Sequence, residues 1–115
     1  MNYPAHAYPI TIPQGEDYEK TWTYYPNGTD AAVQNWTGWS GTAQLRRRIE
    51  DTTALATFTV TLGGAAGTVK IALANAITSV LTAGAAYYDV ELTDPGGKVM
   101  RFVGGKAQIT AEVTR

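Results

Sequence analysis

AYYDVELTDPGGKVMRFVGGKAQIT, residues 86–110, decides the fold. Tyr88, Val90 and Leu92 fall on one side of its first segment, and Tyr87, Asp89, Glu91 and Thr93 on the other. A period of two sends successive side chains to opposite faces, so this is a half-buried strand with one apolar and one polar face. Asp94-Pro95-Gly96-Gly97 then supplies a turn, because proline fixes φ and the glycines accept positive φ at little cost. Residues 98–103 alternate again, with Met100 and Phe102 opposite Val99, Arg101 and Val103. Gly104-Gly105 reads as a kink before a last strand. The hairpin therefore predicts a core of Tyr88, Val90, Leu92, Met100 and Phe102. It predicts a surface of Tyr87, Asp89, Glu91 and Arg101, better suited to a contact between subunits than to chemistry.

Outward from the hairpin the same period recurs. Residues 17–25 place Tyr18, Lys20, Trp22 and Tyr24 on one face. Residues 39–49 place Trp39, Gly41, Ala43, Leu45, Arg47 and Ile49 together. Ala56, Phe58, Val60 and Leu62 face inward between threonines, and Val69, Ile71 and Leu73 do so around Lys70. Pro26-Asn27-Gly28, Glu50-Asp51-Thr52-Thr53 and Gly63-Gly64-Ala65-Ala66-Gly67 are turns. Residues 75–82 break the alternation: Asn75 is a candidate cap, Ile77, Val80 and Leu81 share a helical face, and Gly84 closes the segment. The spacing predicts an all-β chain, an antiparallel β-sandwich of about seven or eight strands with one short helix near 75–82. Residues 1–9, with Pro4 and Pro9, read as an extended N-terminal arm ahead of a single domain over 10–115. The arm's sharper use is to lie on a neighbouring subunit, where Tyr3, Pro4, His6 and Tyr8 would make contact.

Composition removes most chemistry. The chain has 115 residues, no cysteine, one histidine and a net charge of −1. Thiolate metal sites and disulfides are excluded, and imidazole-based catalysis or metal binding has almost no material. No cofactor or metal is expected. The charge gives no field for nucleic acid, and no apolar run approaches the roughly 20 residues of a membrane span. The carboxylates lie in turns or on outward faces; Asp89 and Glu91 share a face but are better explained as a solvated surface pairing with Arg101 or Lys98. The expectation is a protein that is not an enzyme.

Two features remain. Arg46-Arg47-Arg48 is too short for a nucleic-acid patch and stands beside Glu50 and Asp51, so a salt-bridged strand end or a subunit contact fits it better. Arg46 and Arg48 share a face there. Three Trp and seven Tyr exceed what the core of so small a domain takes up. Trp22, Trp39 and Phe58 are most simply core. Tyr24, Tyr25, Trp36 and Tyr87 are candidates for exposed rings that stack on sugars or anchor a protein interface. The sequence leaves both uses open.

The order of the motifs carries a resemblance. Pro13-Gln14-Gly15-Glu16-Asp17-Tyr18 is followed by Trp36-Thr37-Gly38-Trp39, Ala43-Gln44-Leu45-Arg46, Ala56-Thr57-Phe58-Thr59-Val60 and Gly67-Thr68-Val69. Tyr88-Asp89-Val90-Glu91-Leu92-Thr93-Asp94, Gly97-Lys98-Val99, Gly105-Lys106 and Glu112-Val113-Thr114-Arg115 complete it. This order resembles small structural proteins of tailed bacteriophages and prophages, and is similar to the immunoglobulin-like N-terminal domain of phage baseplate upper proteins. The resemblance implies an immunoglobulin-like sandwich, made in the host bacterial cytoplasm and built into the virion. The implied partners are other virion proteins (tail, baseplate or major capsid protein), in a homo-oligomer or symmetric array, without nucleic acid or membrane. Tail or baseplate is the preferred place, and decoration of the capsid is the alternative. A carbohydrate-binding module is the rival from another class. The residues expected at the protein interface are Tyr3, Pro4, His6, Tyr8, Trp36, Arg46, Arg48, Tyr87 and Arg101.

Overall fold

In the computed structural model, which describes residues 6–28 and 31–113 and only the backbone of His6, the alternating segments become strands. They are β1 (His6–Ala7), β2 (Ile10–Pro13), β3 (Tyr18–Thr23), β4 (Ser40–Arg46), β5 (Ala56–Leu62), β6 (Thr68–Leu73), β7 (Gly84–Thr93) and β8 (Val99–Thr110). A helix of one turn, α1 (Asn75–Thr78), and a 3-10 turn at Gly64–Ala66 complete the described elements.

β7 is the centre of the first sheet, antiparallel to β8 on one side and to β4 on the other. β8 carries β1 and β2 in parallel along its far edge. The second sheet pairs β3 with β6 and β6 with β5, all antiparallel. β5 belongs to both: Ala56 and Phe58 pair with β4, whereas Thr59 through Leu62 pair with β6. One strand crossing from sheet to sheet closes one side of the sandwich and bends it toward a barrel. The other side stays open, because the path of strands ends at β1 and at β3. The result is an all-β, immunoglobulin-like sandwich. Its first two strands run parallel to β8, while the other pairings, including those across the turns after Leu62 and Thr93, are antiparallel.

The core follows the period. Ala43, Leu45, Phe58, Val69, Ile71, Tyr88, Val90 and Leu92 are buried from the two facing sheets, with Ile10, Ile12, Ala107 and Ile109 at one end. Full burial of an aliphatic or aromatic side chain contributes about 1.5–3 kcal/mol, so these positions are where the fold gains most. Tyr18 packs edge-on against Phe58, and Phe58 against Tyr88. Burial first, and then the charge of neighbouring tyrosines, pushes the Tyr18 phenol up to about 12 and the Tyr88 phenol higher still.

The hairpin departs from its reading in two ways. β8 runs unbroken through Gly104-Gly105, with no kink between separate strands. Val90 pairs with Val103 but Glu91 pairs with Arg101, which leaves Phe102 as an extra residue, a β-bulge. The bulge turns Val103 inward, so Phe102 and Val103 are both buried, although strict alternation placed Val103 outside. The turn itself is built as expected: the Asp94 carboxylate accepts from the N–H groups of Gly96 and Lys98, and the Gly97 N–H donates to the Asp94 carbonyl.

The arm also departs. Residues 1–5 lie outside the described residues. From His6 onward the chain is not extended toward a neighbour but pairs with its own β8, and the Tyr8 N–H donates to the Gly104 carbonyl at 2.9 Å. The physical reason is the glycine pair. A Cβ on Gly105, whose φ is +153°, would stand 3.2 Å from the Tyr8 nitrogen and 3.3 Å from its oxygen. Only a bare backbone lets Tyr8 cross so closely, and the Tyr88 hydroxyl then donates to the Tyr8 carbonyl at 2.6 Å. A tethered segment also finds its own sheet edge at a higher effective concentration than a neighbour's.

The helix is shorter than the expected span of 75–82. Asn75 is its first residue and not its cap; the Asn75 N–H is satisfied by the Asp17 carboxylate at 2.8 Å. Ile77 and Val80 point to solvent, and only Thr78 and Leu81 are buried. Gln14 ties this end together: its amide donates to the Leu81 carbonyl and accepts from the Glu112 N–H.

Candidate functional site

The outer face of the first sheet gathers side chains from separate parts of the sequence. Register aligns Arg46, Tyr87 and Lys106 in one row, Gln44, Asp89 and Gly104 in the next, and Thr42, Glu91 and Arg101 in a third. A strand period of two makes all of these point away from the core. The middle row is low because Gly104 carries no side chain and Ala7 of β1 lies beside it. There the surface dips into a groove of about 280 Å3, bordered by Ile49, Tyr87, Asp89 and Arg101. A smaller pit of about 90 Å3 adjoins it between Gln44, Arg46 and Tyr87.

The electrostatics suit exchange with a partner. The Arg101 guanidinium stands 3.6 Å from the Asp89 carboxylate, with both side chains well exposed. A pair of this kind contributes about 0–1 kcal/mol, so breaking it for an intermolecular contact costs little. Arg46 is held more firmly, donating to the Asp51 carbonyl and to the Gln44 side chain. Ile49, expected inward, is 73% exposed at the rim, because β4 ends at Arg46 and the chain leaves the sheet before reaching it.

Of the nine residues expected at an interface, the structure brings Arg46, Tyr87 and Arg101 together on this face. Arg48 lies next to it in the β4–β5 connection, 3.6 Å from Asp51. Arg47 points elsewhere, donating to the carbonyls of Thr82 and Ala85 and fixing the entry to β7. Tyr8 is half-buried at the open side of the sandwich, edge-on to Trp22. Tyr3, Pro4 and the His6 side chain lie outside the described residues. Trp36 is a correction: it is 1% exposed and belongs to the core. The loop that carries it is sewn onto the sandwich, with the Gln34 N–H donating to the Tyr24 carbonyl and the Trp36 N–H to the Gly64 carbonyl. Its ring stacks on Tyr24 and meets the edges of Trp39 and Phe102. Ile49, Gln44 and Lys106 were not read as part of the face. Parity with Arg46 identifies Gln44, whereas Ile49 had no signal, since its exposure depends on where β4 stops.

Among the described residues, no group of three or more His, Asp or Glu side chains is placed to hold a metal ion. No helix among them is long and apolar enough to cross a membrane. Compared with models of known protein families and with curated proteins, the sequence finds no match.

Proposed function

We propose that the chain is a non-enzymatic assembly module of a tailed-phage particle, acting through protein–protein contacts of its outer sheet face. The observation that carries the surface part is the convergence of Arg46, Tyr87, Asp89 and Arg101 around a floor of Gly104 and Ala7. Arg and Tyr are enriched where interfaces gain their energy, and a groove beside a rigid aromatic is a natural seat for a partner side chain. The virion part rests on the resemblance in the order of the sequence motifs. Tail or baseplate is the preferred place, with the capsid surface the alternative. The proposed contact is placed on this face and not on the N-terminal arm, because His6–Ala7 and Ile10–Pro13 already pair with β8 of the same chain.

Mass spectrometry of gradient-purified particles tests the reading. The chain is expected in them at fixed stoichiometry, a few dozen copies for a tail or baseplate and hundreds for a capsid decoration, each as an order of magnitude. Its absence from particles, with the protein present in the lysate, refutes the proposal.

A further inference from the structure

The second sheet ends on an open edge. β3 pairs with β6 on one side, and the path of strands stops there. In an antiparallel strand the backbone groups of successive residues turn to opposite edges. The Tyr24 N–H donates to the Gly67 carbonyl at 2.9 Å, one step beyond the pairing of Thr23 with Thr68. The same parity turns the backbone groups of Tyr18, Lys20 and Trp22 toward β6. Those of Glu19, Thr21 and Thr23 face the open edge, and none of the described residues bonds to them there. The side chains of Glu19, Thr21 and Thr23 are exposed as well.

Such an edge is a template for another strand unless something blocks it. Lys20, on the inward side of β3, is the kind of residue that blocks edges. Its charge, however, forbids only some registers. When β3 pairs antiparallel with itself and the sheet runs on, the inner faces of both copies lie on one side. Odd residues then stand opposite odd ones, and even opposite even. A register centred on Lys20 sets two ammonium groups directly opposite, and one centred on Glu19 sets two carboxylates so; like charges in that position are destabilising. A register centred on Trp22 leaves Glu19 beyond the end of the opposing strand. Centred on Thr21, the strand matches itself. Thr21 stands opposite Thr21 of the second copy and Glu19 opposite its Thr23, so every open-edge residue of β3 gains a hydrogen-bonded partner. Lys20 stands opposite Trp22 of the second copy, in a pair without backbone hydrogen bonds, where side chains come closest. Within one chain the Lys20 ammonium already lies 5.9 Å from the Trp22 ring centroid, so the two are suited to meet across the axis as cation and ring.

We propose that β3 pairs with β3 of a second copy of this chain, about a two-fold axis through Thr21, to form a dimer with one continuous sheet. A strand of six residues offers less than the roughly 800 Å2 per partner of a stable interface, so the dimer is weak. The contact lies on the second sheet, away from the assembly face, and does not depend on a place in a virion.

Sedimentation of the full chain, from about 20 µM to about 1 mM, with hydrogen exchange over the same range, tests this. Dimer should accumulate with concentration, and exchange at the Glu19, Thr21 and Thr23 amides should slow in step. The Lys20 and Trp22 amides, which face β6, should change little. Thr21→Glu places two carboxylates on the axis and should weaken the dimer about three- to tenfold, and mixing it with Thr21→Lys should restore association. Thr21→Pro removes an N–H that β6 does not use and should weaken the dimer at least about tenfold. If one of these variants fails to fold, the wild-type exchange pattern and the remaining variant decide. A chain still monomeric at about 1 mM overturns the proposal and leaves Lys20 as a guard of the edge. So does a dimer indifferent to Thr21→Glu and Thr21→Pro, which would place the contact elsewhere. Full protection of the Thr21 amide in the monomer also overturns it, since the chain would then cover its own edge.

Discussion

Gly105→Ala is the sharpest perturbation of this fold. Gly105 has φ +153°, a region that side-chain-bearing residues avoid at a cost of about 1–3 kcal/mol. The new methyl would also press on the Tyr8 backbone at 3.2 and 3.3 Å, so Tyr8 must retreat by a few tenths of an ångström. Retreat strains the hydrogen bonds from the Tyr8 N–H to Gly104 and from Tyr88 to the Tyr8 carbonyl. Together these amount to about 2–3 kcal/mol. If β1 detaches, the global loss is capped at the cost of releasing it, and the remainder appears as local opening. The clearest readout is therefore hydrogen exchange at the Tyr8 amide, whose protection should fall about 30- to 150-fold at tenfold per 1.4 kcal/mol. Denaturant unfolding run in parallel sets the global share. A Tyr8 amide that is unprotected in the wild type, or protection unchanged in the variant, refutes the docking of the N-terminal strand on its own sheet.

Two further outcomes follow from the core. Trp36→Ala should cost about 3–5 kcal/mol by denaturant unfolding or prevent soluble folding, because a fully buried indole is removed; a change under about 0.5 kcal/mol, typical of surface substitutions, would place the ring outside the core. Tyr18, raised to about 12, and Tyr88, raised further, hold their protons more tightly in the folded state than in the unfolded chain, where tyrosine titrates near about 10. Stability is then intact below pH about 10 and falls above it by about 1.4 kcal/mol per pH unit for each group, up to about pH 12 for Tyr18. Urea midpoints at closely spaced alkaline pH values check this, and a flat profile from about pH 10 to 11.5 contradicts it.

How much was legible follows from what kind of information each feature needs. Tyr88, Val90 and Leu92 were readable as core because a period of two is local to the strand. The bulge at Phe102 was not, since it exists only in the register between β7 and β8. The parallel docking of His6–Ala7 depends on an edge almost a hundred residues later and on two glycines whose sequence alone suggests a kink. Trp36 sits in a loop without periodicity, and its burial comes from that loop being tied down, Gln34 N–H to the Tyr24 carbonyl and Trp36 N–H to the Gly64 carbonyl. On the candidate face, Tyr87, Asp89, Glu91 and Arg101 were visible from the hairpin's parity. Their junction with Arg46 needed the pairing of β4 with β7, and the groove needed Ala7 beside Gly104.

In the proposed function, the outer face of the β8, β7 and β4 sheet is where this chain meets its partners. The most direct measurement is the copy number in purified particles of a Tyr87→Glu, Arg101→Glu double variant, beside a Thr61→Glu control on the exposed side of β5. Both proteins should fold, since the substituted side chains lie on outer faces. Incorporation of the double variant should fall at least about tenfold while the control matches the wild type. Incorporation of the double variant at wild-type copy number would contradict it.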